Sequence, residues 1–294
     1  LMADLFGVKL AAATLARMSA TGAVRFQGFV DVVWSWIKTA AVKHLDETGF
    51  RIGGRTQWLH IATTRWLTFY RLALKRGNRW EGLLGLVVHD HWKPYYTLIG
   101  VSPALCNAHH WRELKALVEI DKETWAQRRQ RLLRRACHAV NLAQAHGEPL
   151  PPRLVARFQR QYDAIAADGL AFHEALPPLP WRGKRGRPRR RPGPNLLWRL
   201  TQRRDDVLRF LTDPRVPFTN NLAEQAARMM KLRQKISGGF RTEPSACDFA
   251  VIRSVIVTAK KQGWNVIHTL TQPPARLITQ LRIGRLRGLK KPLN

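Results

Sequence analysis

The stretch AAVKHLDETGF, residues 40–50, begins with apolar and β-compatible residues and ends in Asp46-Glu47, followed by Thr48-Gly49. This pattern predicts a strand that ends in a turn at Thr48-Gly49. An isolated ionised carboxylate at the end of an apolar run is costly to bury. It is explained if a cation or a phosphoryl-transfer site uses it. Two further acids have similar surroundings: Asp90 ends GLLGLVVHD, and Glu224 lies within TNNLAEQAARMMK.

The overall composition is that of a globular protein. The 294 residues are 45% hydrophobic, enough for one large domain or two modest ones with a substantial core. No apolar run reaches the roughly 18 residues of a membrane span, and no secretory signal is visible. The three cysteines, Cys106, Cys137 and Cys247, are widely spaced. We therefore expect no disulfide framework and a reducing compartment.

The charge is strongly unbalanced, with 50 Lys and Arg against 20 acids and a net charge of +30. Self-repulsion opposes compaction, so folding does not explain this excess. A polyanionic partner does explain it, because cationic side chains contact phosphates and release counterions. An anionic membrane surface is the alternative, but the sequence has no amphipathic lysine-rich anchor helix. We predict that the partner is a nucleic acid.

The first 40 residues are predicted to be helical. Residues 1–18 have a helix-turn-helix-like pattern with its turn at Gly7, which is typical of a small DNA-binding element. An ordinary helix pair packed on the main domain fits this pattern equally well. Residues 24–40 predict a further amphipathic helix. Its inward side chains would be Phe26, Phe29, Val33 and Trp36.

From residue 41 the pattern becomes that of strands. Residues 42–50, 56–64 and 68–74 predict an antiparallel meander, with a hairpin turn at Gly53-Gly54. Residues 78–84 predict helical turns, residues 86–89 a buried strand, and residues 104–108 another short strand. The fold class that follows is α/β, with a mixed sheet flanked by helices.

The following hundred residues are predicted to be mainly helical. Residues 111–176 indicate a helical hairpin broken near Gly147 and at Pro151-Pro152, and residues 196–211 a single further helix. Residues 177–195 read PPLPWRGKRGRPRRRPGPN, a basic linker that we expect to be extended or disordered. Such a segment cannot build a core.

Two helices and a basic tail complete the chain. Residues 221–235 and 246–262 are the helices, and the tail at residues 276–291 is either helical or a loose arm. On the first helix, Arg228, Lys231 and Lys235 share the side of Glu224. Its predicted buried stripe is Leu222, Ala226, Met229 and Met230. The second helix has Phe249, Ile252, Ile256 and Ala259 on one face.

Phosphoryl transfer gives the three acids a common role. It needs carboxylates that hold Mg²⁺ beside the reacting phosphate, and in two-ion sites the ions lie about 3.5–4 Å apart. Asp46 and Asp90 would face one another if their strands were neighbours, and Glu224 would come from a helix across the sheet. Each acid also has a structural alternative. Asp46 suits a turn, Asp90 suits a cap, and Glu224 suits an exposed ion pair with Arg228.

Five sequence blocks together resemble transposases of insertion-sequence family sixty-six. In order they are HLDETG at residues 44–49, D-x-W-x-x-Y at 90–95, CNAHHWREL at 106–114, FTNNLAEQAARMMKLRQKISGGF at 218–240 and SVIVTAKKQGWN at 254–265. The resemblance extends over about residues 1–270. Members of this family are DDE enzymes with an RNase H-like catalytic core. One departure is Gln225, where an arginine commonly follows the glutamate.

The resemblance implies that Asp46, Asp90 and Glu224 are catalytic acids holding Mg²⁺ or Mn²⁺, expected as two ions. The RNase H-like core would comprise residues 41–110 and 220–270. An all-helical insertion, residues 111–219 with the linker at 177–195, would precede the last acid. Residues 1–40 would be an N-terminal helical region and residues 271–294 a basic tail. The implied activity is hydrolytic nicking at element ends, followed by attack of the 3′-hydroxyl on target DNA.

The implied partner is DNA, both element ends and target, bound by a homo-oligomer of a bacterial mobile element in the cytoplasm. Phosphate contacts are predicted for the linker and for the helix that carries Glu224, although a solvated spacer is the alternative for the linker. The residues are Arg182, Lys184, Arg185, Arg187, Arg189, Arg190, Arg191, Arg228, Lys231 and Lys235.

By the same resemblance, Cys106, His109 and Arg112 support the site, either structurally or by contacting DNA. Cys106 and His109 also have C-x₂-H spacing, and His89 and His91 flank Asp90, which is compatible with zinc. No second pair has the spacing to complete four ligands. Two other functions remain open: a catalytically inactive DNA-binding relic, and an RNase H-like structure-selective nuclease without strand transfer.

Overall fold

The chain folds into two compact units. We describe them from a computed structural model that covers Asp4 and residues 7–77, 80–177, 179 and 191–288, with side chains up to residue 284. The sheet unit contains the residues up to Ser102 and those from Asn221 onward. The helical unit contains Pro103–Asn220.

The strands form one mixed sheet. They are β1 (Val42–Ile52), β2 (Arg55–Thr63), β3 (Thr68–Ala73), β4 (Gly85–His89) and β5 (Val101–Leu105). Their order is β3-β2-β1-β4-β5. β2 is antiparallel to both β1 and β3, whereas β1 and β4 are parallel. The predicted meander and the mixed α/β class are therefore confirmed.

The helices account for most of the remaining chain. In order they are α1 (Ala12–Thr39), α2 (Asn107–Ala116), α3 (Thr124–Ala145), α4 (Pro152–Glu174), α5 (Pro192–Gln202), α6 (Arg204–Thr212), α7 (Asn221–Ser237), α8 (Glu243–Lys261), α9 (Val266–Thr271) and α10 (Pro274–Gly288). A 3₁₀ turn at Lys93–Thr97 and a π-helical turn at Leu117–Asp121 complete the set.

The first strand is longer than the sequence pattern predicted. Thr48 and Gly49, expected to turn, lie inside β1 opposite Leu59 and Trp58 of β2. Phe50 and Ile52 are buried, so the strand alternation continues past the acids. The chain reverses at Gly53-Gly54 instead, as predicted, with φ angles of +52° and +80° that favour glycine.

A 28-residue helix, α1, precedes the sheet. It continues through residues 18–24, so the predicted break there is wrong. Asp4 is helical and Gly7 lies in a bend with a φ of +66°, as the predicted turn at Gly7 requires, and the DNA-binding role of residues 1–18 stays a prediction. An apolar stripe in the C-terminal part of α1 packs against the core. Its buried members are Ala23, Phe26, Phe29, Val30, Val33 and Ile37. Trp36, predicted to point inward, is only partly buried.

The predicted basic tail contributes to the core. Residues 274–288 form α10, and Leu277 and Leu281 are almost fully buried. They join a cluster with Phe29 and Val33 of α1 and Val255 of α8. Of the two predicted states, a helix is therefore confirmed for the described part of the tail.

Helix α8 packs with small and polar side chains against the edge strand β3. Its buried residues are Ala246, Ala250, Ser254, Val255, Thr258 and Ala259, so the predicted face of Phe249, Ile252 and Ile256 is only partly buried. The Ser254 hydroxyl accepts the N–H of Tyr70 at 3.0 Å, and the Thr258 hydroxyl accepts that of Thr68 at 3.1 Å. These hydroxyls satisfy backbone groups that an edge strand leaves unpaired.

Two short predictions between the acids need correction. The described part of residues 78–84, from Trp80, is irregular and not helical. Gly82 has a φ of +69°, and Trp80 and Leu83 are both buried, so the chain is shaped by tertiary packing. The strand predicted at residues 104–108 is β5, which begins earlier, at Val101. It also ends earlier, at Leu105, because α2 already starts at Asn107.

In the helical unit, the hairpin predicted from residues 111–176 is confirmed as α3 and α4, which pack together. The single helix predicted at residues 196–211 is wrong: α5 and α6 are separated at Arg203, which leaves helical geometry at φ −112°. Helix α5 also starts inside the predicted linker, since Pro192 fits the first turn, where no N–H is needed. Linker residues 180–190 lie outside the described residues.

Replacing Thr258 with Val should destabilise the protein by about 1–3 kcal/mol, because the buried N–H and C=O of Thr68 both lose their partner. The measurement is the free energy of unfolding in urea. The control is Thr279→Val on α10, where an exposed hydroxyl bonds only the Ala275 carbonyl of its own helix. A change of at most about 0.5 kcal/mol is expected there. Equal losses in both variants would contradict the edge-strand role.

Candidate active site

Two of the three predicted acids lie on neighbouring strands. Asp46 is in β1, and Asp90 directly follows β4. The two strands are parallel, with His44 opposite Val88. Continuing this register by two residues sets Asp90 opposite Asp46. The sequence pattern predicted that Asp46 and Asp90 would face one another if their strands were neighbours. The two strands are neighbours.

The third acid comes from a helix that packs on the same sheet. Glu224 is in the first turn of α7. The Lys231 Nζ and Gln234 Nε2 atoms both donate to the carbonyl of Gly49 in β1 at 3.3 Å. The Tyr70 hydroxyl of β3 donates to the Ala226 carbonyl at 3.0 Å. These bonds fix α7 along the sheet and direct its first turn toward the acids.

The packed face of α7 differs in part from the predicted stripe. Its buried residues are Ala223, Ala226, Ala227 and Met230. Leu222 is only partly buried and Met229 is exposed. Small alanine side chains let the helix approach the sheet closely, which is why they replace the larger residues at the contact.

The charges of the predicted acids act on one another. The pKa of Asp46 is raised from 3.8 to about 7. Burial is the largest cause, and the charges of Asp90, Glu224 and Glu47 add to it, while the N–H of Glu47 opposes them. Such a set of mutually repelling carboxylates is costly unless a cation neutralises it. Carboxylate oxygens are the ligands that Mg²⁺ prefers, but in the described residues the ligand atoms of Asp46, Asp90 and Glu224 do not all lie within 4.8 Å of one another.

The turn given as the alternative for Asp46 is wrong, because Asp46 lies within β1, whereas the cap given as the alternative for Asp90 is present. Asp46 Oδ1 accepts the N–H of Glu47 at 2.8 Å. Asp90 Oδ1 accepts the N–H of Trp92 at 3.1 Å, which caps the segment before the 3₁₀ turn. These bonds orient the carboxylates and are compatible with a ligand at the remaining oxygen.

Glu47 is a site residue that the sequence interpretation missed. Its side chain is only 3% exposed and forms an ion pair with Arg76. It also accepts the N–H of Gly77 at 3.4 Å. The guanidinium of Arg76 lies 3.6 Å from the ring centre of Trp92 and 4.8 Å from that of Trp58. The adjacent acids in DETG were the only signal, and nothing in the sequence indicated Arg76 as the partner.

Tyr95, the last residue of the D-x-W-x-x-Y block, lies beside the same acids. It is 2% exposed, and its hydroxyl has no hydrogen-bond partner among the described residues. Burial, and then the charges of Glu47, Asp46 and Asp90, raise the pKa of this hydroxyl well above its ordinary value. Sequence spacing identified the block but gave no indication that its tyrosine is buried beside carboxylates.

The structure describes some of the predicted DNA-contacting residues but not others. Arg228, Lys231 and Lys235 are exposed on α7, the helix of Glu224. Arg191 is described, and its guanidinium donates to the Pro177 carbonyl at 2.8 Å. The remaining predicted linker cations, from Arg182 to Arg190, lie outside the described residues.

The predicted supporting residues Cys106, His109 and Arg112 belong to the helical unit. The buried thiol of Cys106 accepts the N–H of Asn220 at 3.1 Å. Asn107 donates its N–H to the Phe218 carbonyl at 3.0 Å, so the start of α2 is tied to the segment before α7. The hydrogen bond between Asn220 and the Cys106 thiol therefore gives Cys106 a structural role.

Comparison with known families decides the assignment. The family model described as Transposase IS66 family matches residues 1–247, which include Asp46, Asp90 and Glu224. The chain belongs to the IS66 family of transposases. This confirms the resemblance seen in the sequence blocks. A comparison of this IS66 family member with curated proteins gives no significant match. No helix among its described residues has both the length and the hydropathy to cross a membrane.

In this IS66 family member, Asp46→Asn should stabilise the fold when divalent ions are removed. The folded-state pKa of about 7 lies above 3.8. The stability contributed by protonated Asp46 is therefore complete below about pH 4 and is lost as the pH rises through about 7. At pH 8 the variant should gain on the order of 2 kcal/mol in the free energy of unfolding. Asp31→Asn, at an exposed acid of α1, is the control and should change little.

Adding Mg²⁺ should then raise the melting temperature of the native protein and of Asp31→Asn, but not that of Asp46→Asn. Equal stabilisation of all three proteins by Mg²⁺ would contradict ion binding at this cluster.

A second prediction concerns the ion pair between Arg76 and Glu47. Arg76→Leu should cost on the order of 2 kcal/mol, because it leaves the buried carboxylate of Glu47 without its cation. The double variant Glu47→Gln with Arg76→Leu should recover part of this loss, since the remaining group is neutral. A double-mutant cycle of urea unfolding measures the coupling. Strictly additive effects would show that the pair contributes nothing.

Proposed function

We propose that the protein is a metal-dependent DNA transposase that nicks DNA at element ends and joins the resulting 3′-hydroxyl to target DNA. The observation that carries this proposal is the convergence of Asp46, Asp90 and Glu224, whose charges act on one another, in a member of the IS66 family. An adjacent strand pair that supplies two acids, with a helix supplying the third, is the distribution of an RNase H-like core. The helical unit would be the insertion before the last acid.

Asp46, Asp90 and Glu224 are the residues that would hold Mg²⁺ or Mn²⁺, expected as two ions. When bound, such ions polarise the phosphate, activate water and stabilise the attacking and leaving oxygens. Asp46 must be ionised to act as a ligand, and its raised pKa makes ion binding increasingly favourable from pH 6 to 8.

The chain's own cations position the DNA strand. Arg228 and Lys231 lie one and two helical turns beyond Glu224 on the exposed side of α7. They would pair with phosphates beside the acids and offset the negative charge that develops on the non-bridging oxygens. The Arg76–Glu47 pair holds a further guanidinium between two tryptophan rings next to the acid cluster. The excess positive charge of the chain favours binding to the DNA backbone over base-specific contacts.

Replacing Glu224 with Gln should reduce Mg²⁺-dependent nicking roughly 10³-fold or more while duplex binding persists. The amide cannot supply a negative oxygen, but it preserves the size of the side chain. Nicking of a labelled plasmid, and binding measured separately in EDTA, are the two readouts.

The matched control is Glu243→Gln, because Glu243 is also a glutamate in the first turn of a helix of the sheet unit and is exposed. It should nick normally. Undiminished nicking by Glu224→Gln would refute the assignment. Nicking without strand transfer from precut ends would instead identify a nuclease.

A further inference from the structure

The helical unit contains an open groove of about 500 Å³ along α2 and α3. Trp111 and Arg112 of α2, Arg134 and His138 of α3, and Phe218 contribute to its walls. This volume falls in the range of roughly 300–1,000 Å³ that small-ligand sites occupy. Of the predicted site residues, Arg112 lines this groove.

The groove has a fixed frame. Gln130 of α3 donates its side-chain N–H to the Trp111 carbonyl at 3.0 Å, which joins the two helices. Phe218 packs edge-on against Phe210 with ring centres 5.0 Å apart. Its backbone carbonyl accepts the Asn107 N–H at 3.0 Å. The two aromatic residues of the groove are therefore held in place by the fold.

The groove is also positively charged. Helix α3 has 22 residues and contains no Asp or Glu. Arg134 and His138 are exposed, and no ion pair or hydrogen bond engages either side chain within the described chain segments. By contrast, Arg128 on the same helix is paired with Asp168. The guanidinium of Arg134 is thus available to an anionic ligand, and that of Arg112 donates to the Ala108 carbonyl at 3.3 Å.

We propose that this groove binds an unpaired nucleotide of a DNA strand, with the base against Trp111 and Phe218 and its phosphate between Arg112 and Arg134. Aromatic rings combined with cations are the chemistry that recognises single-stranded nucleic acid, because every unpaired base offers a ring face and a neighbouring phosphate. In duplex DNA the bases are stacked on one another, so ring faces are inaccessible. This inference rests on the proposal that the protein acts on DNA, but not on the carboxylate chemistry.

The test uses the full chain in EDTA, so that no cleavage occurs. The probe is a DNA duplex with a short single-stranded overhang that contains 2-aminopurine, whose fluorescence is quenched when it stacks. The native protein should quench the probe and bind it more tightly than a blunt duplex. Trp111→Leu should remove most of the quenching and weaken overhang binding on the order of 10-fold. Trp111→Phe, which keeps a ring, should retain most of both.

A matched pair of arginines separates the groove from general charge attraction. Arg134 and Arg135 are adjacent and both exposed on α3, but only Arg134 lines the groove. Arg134→Ala should remove the preference for the overhang over the blunt duplex. Arg135→Ala should weaken binding to both probes equally and keep the preference. Thermal melts of all variants show whether each one folds. If Trp111→Leu does not fold, the comparison of Arg134→Ala with Arg135→Ala still tests the proposal.

Two results would overturn the proposal. One is unchanged quenching in Trp111→Leu together with equal effects of the two arginine variants. The other is competition by an acidic peptide as effective as that by single-stranded DNA. If duplex binding persists without any overhang preference, only the groove proposal fails. If no DNA binds at all, the proposed function fails as well.

Discussion

The parallel hydrogen bonding between β1 and β4 sets Asp46 and Asp90 on adjacent strands of the central sheet. Backbone pairing of this kind fixes the spacing of the two strands, so the backbones of the two acids stay close. Helix α7 adds Glu224 and is itself held to β1 through the carbonyl of Gly49. The raised pKa of Asp46 expresses the energetic cost of this arrangement.

The surroundings of the acids limit that cost without removing it. Glu47 is neutralised by Arg76, whose guanidinium is stacked against Trp92 and Trp58. Tyr95 is buried beside the acids and adds no charge. Arg228 and Lys235 on α7 are exposed. Buried negative oxygens with exposed cations nearby suit a phosphodiester and a divalent ion together, which is the basis of the proposed transposase chemistry.

The two units present different chemistry to a nucleic acid. The sheet unit concentrates carboxylates, whereas α3 of the helical unit has arginines, no acid, and an aromatic groove beside it. Net charge explains general attraction to DNA but cannot distinguish paired from unpaired strands. Rings held by fixed packing, such as Trp111 and Phe218, can make that distinction.

The sequence by itself determined the strand meander, the buried strand that ends at Asp90, the acid-bearing helix and the family, because alternation, helical spacing and ordered motifs are local properties. It did not reveal that α1 is continuous, because residues 18–24 contain no strong helix signal. Nor did it identify Arg76 as the partner of Glu47, or the hydroxyls of Ser254 and Thr258 as caps of an edge strand. These contacts join residues far apart in the chain, and only tertiary packing brings them together.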